Sequence, residues 1–449
     1  MKDLKLYELN SSQEVVMLQC KYTLFKKVVN IVTSISYKKE LDFELLNKAY
    51  NLVVKRNDSL RIRFTKVKGK TMQYFLNGVD ETKVPVHSFN TKEEQEKFIK
   101  QITKHAIKYK KGVVIEPYFV HTYDDKYMVV LKVCHLVLDI YGINVVFKDL
   151  FGVYEALKNG TELPEPPTSF EESLQKELPR KHNQDMHNRN YEFFKDILDT
   201  NEEPYYAGIH GPKNPIWQKQ LSKNKRAMKM FFINCDTEGT RCSISPEVTN
   251  KVMEYCKSIE QSPANFLFYA LSVCTGKLNN NTEKMLPLEL YNCRTNYHDK
   301  NCAGTKVQSL GCYTKINYQK SFIENFEDFC TNQKRLYRHI GFADSEYEQL
   351  LHKTYKSSML ETYYSITYSF IPFEYNDDFY YDMYTNGKGA LPAYIAQLYN
   401  IATGEIIMAY DCHIKTTSKE DVFSFHKKYV NLLLNIIENP NELIGNIKM

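Results

Sequence analysis

Residues 127–142 read YMVVLKVCHLVLDIYG, and this stretch decides the fold. It opens with an apolar run of strand length. From about Tyr141 onward, apolar side chains recur every three or four residues, as they do on the buried face of a helix. Gly160 is the predicted end of that helix, because helices commonly end at a glycine. The stretch therefore predicts a strand, a short junction that contains His135, and a long amphipathic helix.

Helix and strand patterns alternate on both sides of this stretch. The final helix begins at Ser418 with Asp421 three residues later, which is the spacing of a capping box. Alternation of this kind favours an α/β fold over a helical bundle or a β-sandwich. The other predicted elements are a helix over 42–57 capped by Asp42, strands over 60–64, 366–370 and 405–410, an α/β region that starts near Met228, and a helix that begins at Ser262 and Pro263.

Residues 160–170, GTELPEPPTSF, are the best candidate for a linker. Their three prolines cannot continue a helix and tend to extend the chain. A chain of 449 residues is long enough for two or three compact units. We therefore expect two α/β lobes, one over residues 1–170 and the other over residues 171–449.

The composition argues against several classes of protein. The 59 Lys and Arg residues against 54 Asp and Glu give a net charge of +5, which makes no case for nucleic-acid binding in a chain of this length. No stretch approaches the roughly 18 apolar residues of a membrane helix, and the N-terminus lacks the apolar run of a signal peptide. The 11 cysteines are an odd set without a CxxC pair, which favours free thiols in the cytoplasm over disulfides or a metal site.

Familiar catalytic motifs are missing from the sequence. It contains no GxxxxGK[ST] phosphate loop, no GxSxG elbow and no HExxH zinc motif. The densest basic run is KHAIKYKK over residues 104–111. We predict that this run is the solvated face of a helix, with a docking surface for an acidic partner as the alternative.

The remaining chemical signal is the pair His135 and Asp139, spaced as HxxxD. His121 and Asp125 share the spacing, but His121 stands at a plain strand end, whereas His135 lies between a strand and a helix. Clefts form at such junctions, and a histidine there can act as a general base. Asp139 would fix the loop by pairing with an arginine. The alternative is a buried, hydrogen-bonded histidine followed by an aspartate that caps the next helix.

Residues 134–142, CHLVLDIYG, resemble the HHxxxDG segment of nonribosomal peptide synthetase condensation domains, which share HxxxD with chloramphenicol acetyltransferase. Residues 56–64, RNDSLRIRF, are similar to the RHExLRTxF motif of these domains. The likeness continues in order along nearly the whole chain. The further similar segments are residues 9–17, 191–194, 292–294, 310–313 and 407–411, the last followed by the closing helix and Asn439-Pro440.

The resemblance implies two chloramphenicol-acetyltransferase-like lobes, each a mixed sheet with helices, which form a V around a central tunnel. A donor and an acceptor enter from opposite faces, each on the phosphopantetheine arm of a carrier protein. His135 maps to the central catalytic histidine, and Asp139 maps to a structural residue that pairs with Arg294. The resemblance also places Cys134, Gly142 and Arg61 as structural residues at the active site.

The sequence departs from the family pattern at two positions. Cys134 replaces the first histidine of the motif, and Ile140 replaces the glycine after the aspartate. That glycine permits a tight turn, whereas a β-branched residue disfavours a positive φ. We therefore expect a reshaped turn in which Gly142 takes part.

The resemblance implies an acyltransferase that forms an amide bond, or an ester bond, between a carrier-bound acyl thioester and an acceptor. It implies no permanently bound cofactor. Nothing in the sequence looks like an adenylation domain or a carrier-protein serine motif, so we expect a free-standing enzyme that acts on carrier proteins in trans. The alternatives are a CoA-dependent acyltransferase on a small alcohol or amine, a catalytically impaired recruitment module, and an epimerase of the same fold.

Overall fold

The structure is a computed structural model, and it describes residues 5–22, 25–222, 224–231, 233, 235–389 and 391–449. The strands are β1 Tyr7–Glu8, β2 Asn30–Tyr37, β3 Ile62–Val67, β4 Lys70–Phe75, β5 Val86–Ser88, β6 Ile115–His121, β7 Tyr127–Cys134, β8 Met228–Lys229, β9 Thr237–Ile244, β10 Lys284–Asn292, β11 Val307–Gly311, β12 Thr314–Lys315, β13 Glu361–Thr362, β14 Tyr364–Phe373, β15 Phe379–Tyr384, β16 Ala393–Asn400 and β17 Ile406–His413.

Helices lie between these strands in both halves of the chain. The α-helices are α1 Ser11–Tyr22, α2 Phe43–Arg56, α3 Lys92–Lys104, α4 Ile140–Asn159, α5 Phe170–Lys181, α6 Gln184–Thr200, α7 Pro215–Gln220, α8 Pro246–Ser258, α9 Pro263–Leu278, α10 Tyr297–Lys300, α11 Phe322–Tyr337, α12 Asp344–Thr354 and α13 Lys419–Glu438. Short 3-10 helices cover Lys26–Val29, Asp58–Arg61 and Tyr109–Lys111.

The chain forms two compact units that are interleaved along the sequence. The first unit takes the chain up to Met186, together with Asn292–Gln308 and Tyr375–Lys388, and the remaining segments form the second unit. A single cut at residue 170, as predicted for the two lobes, differs from this division. The reason is tertiary: strand β15 pairs with β2, and the segment around Arg294 bonds to Asp139, so both cluster with the first unit.

A five-stranded mixed sheet in the order β15-β2-β7-β6-β5 is the centre of the first unit. Strand β7 pairs antiparallel with β2 on one side and with β6 on the other, so it lies in the middle. Its residues from Met128 to Cys134 are all buried. This burial on both faces explains why its sequence is a nearly continuous apolar run rather than an alternating one.

The second unit is built around a larger mixed sheet in the order β11-β10-β14-β16-β17-β9, with β12 beside β10. Strand β14 runs parallel to both of its neighbours, β10 and β16. The pairs β16–β17 and β17–β9 are antiparallel. Helices α9 and α13 cover it, and α9 is buried along most of its length. The predicted α/β class with a mixed sheet in each half is confirmed.

Several predicted helix ends are present in detail. The Asp42 side chain accepts bonds from the backbone N–H groups of Glu44 and Leu45, which caps α2. Gly160 ends α4 in the left-handed conformation, with a φ of 64°. The capping box of Ser418 and Asp421 begins α13. Local side-chain chemistry fixed these boundaries, which is why the sequence predicted them.

Two local predictions were wrong. The strand predicted from residue 60 begins at Ile62, because residues 58–61 form a 3-10 helix. The basic run 104–111 is not a helix face, since α3 ends at Lys104 and a loop and a 3-10 turn follow. Its lysines are exposed, while Ile107 and Tyr109 turn inward and are buried.

Three further features concern the described part of the chain as a whole. No helix in it combines the length and the apolar character needed to cross a bilayer. The ten cysteines that the structure describes are all free thiols, and eight of them are buried. No group of three or more His, Cys, Asp or Glu side chains within the same residues is arranged to hold a metal ion.

Candidate active site

Strand β7 delivers His135 to the end of the central sheet. Cys134, the last residue of the strand, is fully buried and pairs with Asn30 of β2. The His135 N–H donates to the Val29 carbonyl at 2.8 Å, which extends the ladder by one residue. The chain then turns, because the Val137 and Leu138 N–H groups both donate to the Cys134 carbonyl, at 2.8 and 3.3 Å. His135 is therefore the first residue after the strand, as predicted.

The His135 imidazole is half-buried, and its Nδ1 atom is buried without a hydrogen-bond partner among the described residues. Burial lowers the pKa of His135, because the charged ring is poorly solvated there. The Asp139 charge and the backbone carbonyls of His135 and Leu138 oppose this effect without cancelling it. The ring is therefore neutral at pH 7, the state in which a histidine can accept a proton.

Asp139 lies one turn further along the chain and holds the start of helix α4. Its Oδ1 atom accepts a hydrogen bond from the Gly142 N–H at 2.7 Å, which is an N-cap bond. The carboxylate also pairs with Arg294 through two bonds, Nη1 to Oδ2 at 2.8 Å and Nη2 to Oδ1 at 3.0 Å. The Lys306 N–H adds a further bond to Oδ2 at 2.8 Å. Asp139 is thus both a helix cap and an ion-pair partner.

The ion pair of Asp139 and Arg294 is buried. The exposed fraction is 4% for the Asp139 side chain and 0% for the Arg294 side chain. Burial alone would raise the pKa of Asp139, but the Arg294 charge and the hydrogen bonds from Arg294, Lys306 and Gly142 outweigh it and hold the pKa below its usual range. Arg294 also donates to the carbonyls of Cys302 and Gly304. The structure thus contains the pair that the family resemblance implied.

The junction does not need a glycine at position 140. Asp139 has extended backbone, with a φ of −91° and a ψ of 178°, and Ile140 is simply the first residue of helix α4. Gly142 takes part in this turn, because its N–H donates to the Asp139 carboxylate. Gly142 is also a point of close approach, since a Cβ atom there would lie 2.7 Å from the Gly304 carbonyl oxygen.

Segment 302–306 completes the site, and sequence reasoning missed it. The Gly304 carbonyl accepts a bond from the Asp139 N–H at 3.3 Å, and the Thr305 hydroxyl donates to the His135 carbonyl at 2.5 Å. Gly304 has a φ of +134° and abuts the Phe170 ring, so only glycine fits there. We call residues 302–306 the strap. Glycine in the strap was the one available signal, but nothing local linked it to His135.

The opening segment of the chain also supports residues 135–139, the loop between β7 and α4, which we call the histidine loop. The Gln13 side chain donates to the Leu136 carbonyl at 2.8 Å and also bonds to Gln73. The Asn10 side chain donates to the Thr305 carbonyl at 3.0 Å. The similarity of residues 9–17 to the opening segment of condensation domains therefore marks a structural brace.

Arg61 is not brought to this site. Its guanidinium donates to the Lys55 carbonyl at the end of α2, and no bond to residues 134–142 is present within the described part of the chain. The neighbouring residues also connect α2 to other helices. Arg56 and Asn57 contact the Asp149 carboxylate of α4, at 3.3 and 2.9 Å, and Asp58 accepts bonds from the start of α5. The RNDSLRIRF segment is thus structural here.

His121 behaves as the sequence predicted. It is the last residue of β6, and its ring packs against Tyr127 with the ring centres 5.1 Å apart. It stands at a strand end without a following helix junction, which separates it from His135.

A family model described as "Condensation domain" matches residues 4–449, nearly the entire sequence. The chain belongs to the condensation-domain family. Condensation domains are acyltransferases that form amide bonds, and they work with carrier-protein-bound substrates inside synthetases. The resemblance inferred from seven short motifs is therefore confirmed.

Known proteins are similar to this condensation domain at low identity. One of the plipastatin synthase polypeptides of Bacillus subtilis (strain 168) is 20% identical over 434 residues, which is 94% of this chain and 16% of that protein. The chain thus spans about one sixth of the length of that curated relative.

Solved condensation domains share the fold over nearly the entire chain. A mutant starter condensation domain of rhizomide synthetase, in complex with C8-CoA and Leu-SNAC, matches with a TM-score of 0.81 at 12% identity, covering 98% of this chain and 96% of that one. The first condensation domain of the calcium-dependent antibiotic synthetase, with a substrate analogue, matches with a TM-score of 0.80 at 13% identity, covering 99% and 98%. The predicted chloramphenicol-acetyltransferase-like fold is confirmed.

Proposed function

We propose that this condensation domain joins an acyl group, presented as a thioester on the phosphopantetheine arm of a carrier protein, to an amine. The proposal rests on family membership and on the state of His135. One observation carries it: the half-buried His135 imidazole stands directly after the central strand, in a loop held by a buried ion pair. Burial also lowers the pKa of this imidazole.

The reaction forms one bond and breaks another. The amine nitrogen attacks the thioester carbonyl, the C–N bond forms, the C–S bond breaks, and the pantetheine sulfur leaves as a thiol. The proton lost by the amine passes to His135 and from there to the departing sulfur. Because Nδ1 is turned into the protein, Nε2 is the nitrogen that we assign to this proton transfer.

In this proposal, Asp139 acts only by holding the loop that carries His135. Its carboxylate is already engaged by Arg294, Lys306 and Gly142, so it does not bond to the substrate. It holds the loop between β7 and α4, and Arg294 holds the carboxylate. We therefore propose that Asp139 and Arg294 hold His135 in place. Cys134, which ends the strand, and Gly142, which leaves room for the strap, contribute to the same role.

The direct test is product formation by the purified protein. A carrier protein loaded with an octanoyl thioester is mixed with an amine-bearing carrier, leucyl-loaded, and products are followed by mass spectrometry. The proposal expects octanoyl-leucyl product and free carrier thiol in equal amounts. Release of octanoic acid without amide, at the rate seen without protein, would contradict it.

A CoA-linked donor is the second candidate, and the rhizomide synthetase structure that holds C8-CoA favours it. The same octanoyl group on CoA is compared with the carrier-bound form at equal concentration. Transfer from the carrier at a higher kcat/KM supports the first proposal, whereas equal or faster transfer from CoA favours the second.

We further propose that donor and acceptor carriers act in trans and that the site of action is the cytoplasm. Support for the compartment comes from the cysteines, because a set of free, mostly buried thiols fits a reducing environment.

A further inference from the structure

Residues 304–306 of the strap each form a hydrogen bond to the histidine loop. Its Gly304 carbonyl accepts from the Asp139 N–H, and its Lys306 N–H donates to the Asp139 carboxylate. Between them, the Thr305 hydroxyl donates to the carbonyl oxygen of His135 at 2.5 Å. This last bond is the only one of the three that reaches the backbone of the histidine itself.

We propose that Thr305 is a positioning residue for His135: its hydroxyl donates to the His135 carbonyl oxygen and weakens that oxygen as an acceptor for the imidazole of the same residue. The inference rests on the proposed function, because it concerns the residue that we assign to proton transfer. It gives Thr305 a role that no motif of the sequence indicated.

The hydrogen bonding of His135 supports this role. Nδ1 is buried and unpaired among the described residues, while the backbone carbonyls of His135 and Leu138 both favour the protonated ring. A carbonyl oxygen that already accepts a short bond is a weaker acceptor for the ring N–H. Thr305 thereby adds to the effect of burial, which lowers the pKa of the ring. The charged group that faces the ring is Asp139, whose charge is balanced by Arg294 and whose Oδ2 also accepts from the Lys306 N–H.

The Thr305 hydroxyl is held so that it cannot easily turn away. The residue is fully buried, and its carbonyl accepts a bond from the Asn10 side chain at 3.0 Å. Asn10 and Gln13 are fixed in turn by reciprocal bonds at the start of α1, and Gln13 holds the Leu136 carbonyl. The hydroxyl and the His135 carbonyl therefore belong to one braced network.

Thr305→Val removes the hydroxyl at nearly constant size, and Thr305→Ser retains it. The pKa of His135 is measured by NMR titration of ring-labelled protein, with the His135 signal assigned by its absence from His135→Gln. We expect the pKa to rise by about 0.5 to 1 unit in Thr305→Val, the shift that one hydrogen bond of ordinary net strength produces. Thr305→Ser keeps the parental pKa.

The pH profile of acyl transfer gives the second readout. Below the pKa, the neutral fraction falls with the shift, so Thr305→Val loses about 3- to 10-fold in rate there and much less above it. A merely structural defect would lower the rate equally at every pH. Ser173→Ala is the matched control, because Ser173 accepts from the Lys306 side chain of the same strap at 2.5 Å and makes no bond to His135.

An unchanged or lowered pKa in Thr305→Val, or an equal rise in Thr305→Ser and Ser173→Ala, would overturn the proposal. If Thr305→Val does not fold, Thr305→Cys replaces it, and its weaker donor must also raise the pKa. The NMR titration needs no turnover, so it decides the role of Thr305 even if the parent transfers no acyl group, a result that would refute the proposed function instead.

Discussion

Replacement of Asp139 by asparagine removes one charge from the loop between β7 and α4. It also puts an NH2 group in place of the oxygen that accepts from Arg294 and Lys306. The amide is isosteric with the carboxylate, and its oxygen can still cap helix α4 through the Gly142 N–H, which now lies 2.7 Å from Oδ1. The Arg294 guanidinium keeps its bonds to the Cys302 and Gly304 carbonyls but loses its counter-ion.

The structure sets the size of the effect. With exposed fractions of 4% and 0%, neither side chain of the pair can recover its lost interactions from water. Removal of one partner from such a buried pair leaves an uncompensated charge, which costs about 3 to 5 kcal/mol. Asp139→Ala loses the helix cap in addition, at a further cost of about 1 kcal/mol.

The assay is urea unfolding followed by circular dichroism, with the free energy of unfolding extrapolated to water. The cycle includes Asp139→Asn, Arg294→Gln and the double variant. Because the double variant contains no unpaired charge, its loss should be smaller than the sum of the two single losses. Glu81→Gln is the control, since its pair with Lys55 is exposed and should leave the unfolding midpoint unchanged.

Two outcomes would refute this reasoning. One is a loss below about 1 kcal/mol for both single variants, which would mean that the pair is solvated. The other is strict additivity in the double variant, which would mean that the two residues act independently. Either result would remove the basis for assigning Asp139 and Arg294 to the position of His135.

Three further predictions concern other residues. Gly142→Ala should lose about 1 to 3 kcal/mol of stability in urea unfolding, because the new Cβ would lie 2.7 Å from the Gly304 carbonyl oxygen. Gly78→Ala is the control and should lose far less, because the space around Gly78 is open. Equal losses in the two variants would contradict this prediction. Burial raises the pKa of Glu289 to about 7 from 4.5, so its contribution to stability is full below pH 4.5 and is lost as the pH rises through 7. The free energy of unfolding should differ by about 2 to 3 kcal/mol between pH 5 and pH 8, and Glu289→Gln should remove this difference. An unchanged pH dependence in Glu289→Gln would refute it. Acyl transfer should fall on the acidic side with a midpoint below the ordinary histidine pKa of 6.5, since burial lowers the pKa of His135 and protonation removes the base; a rate that is flat from pH 5 to 8 would exclude that role.

Much of the fold was predictable because its signals are local. The apolar run of β7 and the periodic face of α4 place the histidine junction, and Asp42 and Ser418 mark helix starts through their own side chains. The helix prediction for the basic run 104–111 was wrong because charge alone does not show whether apolar residues recur with helical spacing. Its buried Ile107 and Tyr109 belong to a loop and a 3-10 turn rather than to a helix.

The site was predictable only in part, for a physical reason. His135 and Asp139 are four residues apart, so their spacing is visible in the sequence, whereas Arg294 was assigned through family resemblance alone. Thr305 lies 170 residues from His135 and contacts it through a backbone carbonyl. Any residue supplies a backbone carbonyl, so no side-chain pattern can reveal such a contact. Arg61 matches the family motif too, and its guanidinium bonds to the Lys55 carbonyl.

We assign the chemistry to His135, and replacement of this residue is the direct test of that role. Single-turnover amide formation from a carrier-bound octanoyl donor is compared for the parent, His135→Ala and His121→Ala. We predict a loss of about 10²- to 10⁴-fold for His135→Ala in a folded protein and parental turnover for His121→Ala. Parental turnover in His135→Ala, with activity lost in His121→Ala, would contradict the assignment of this site.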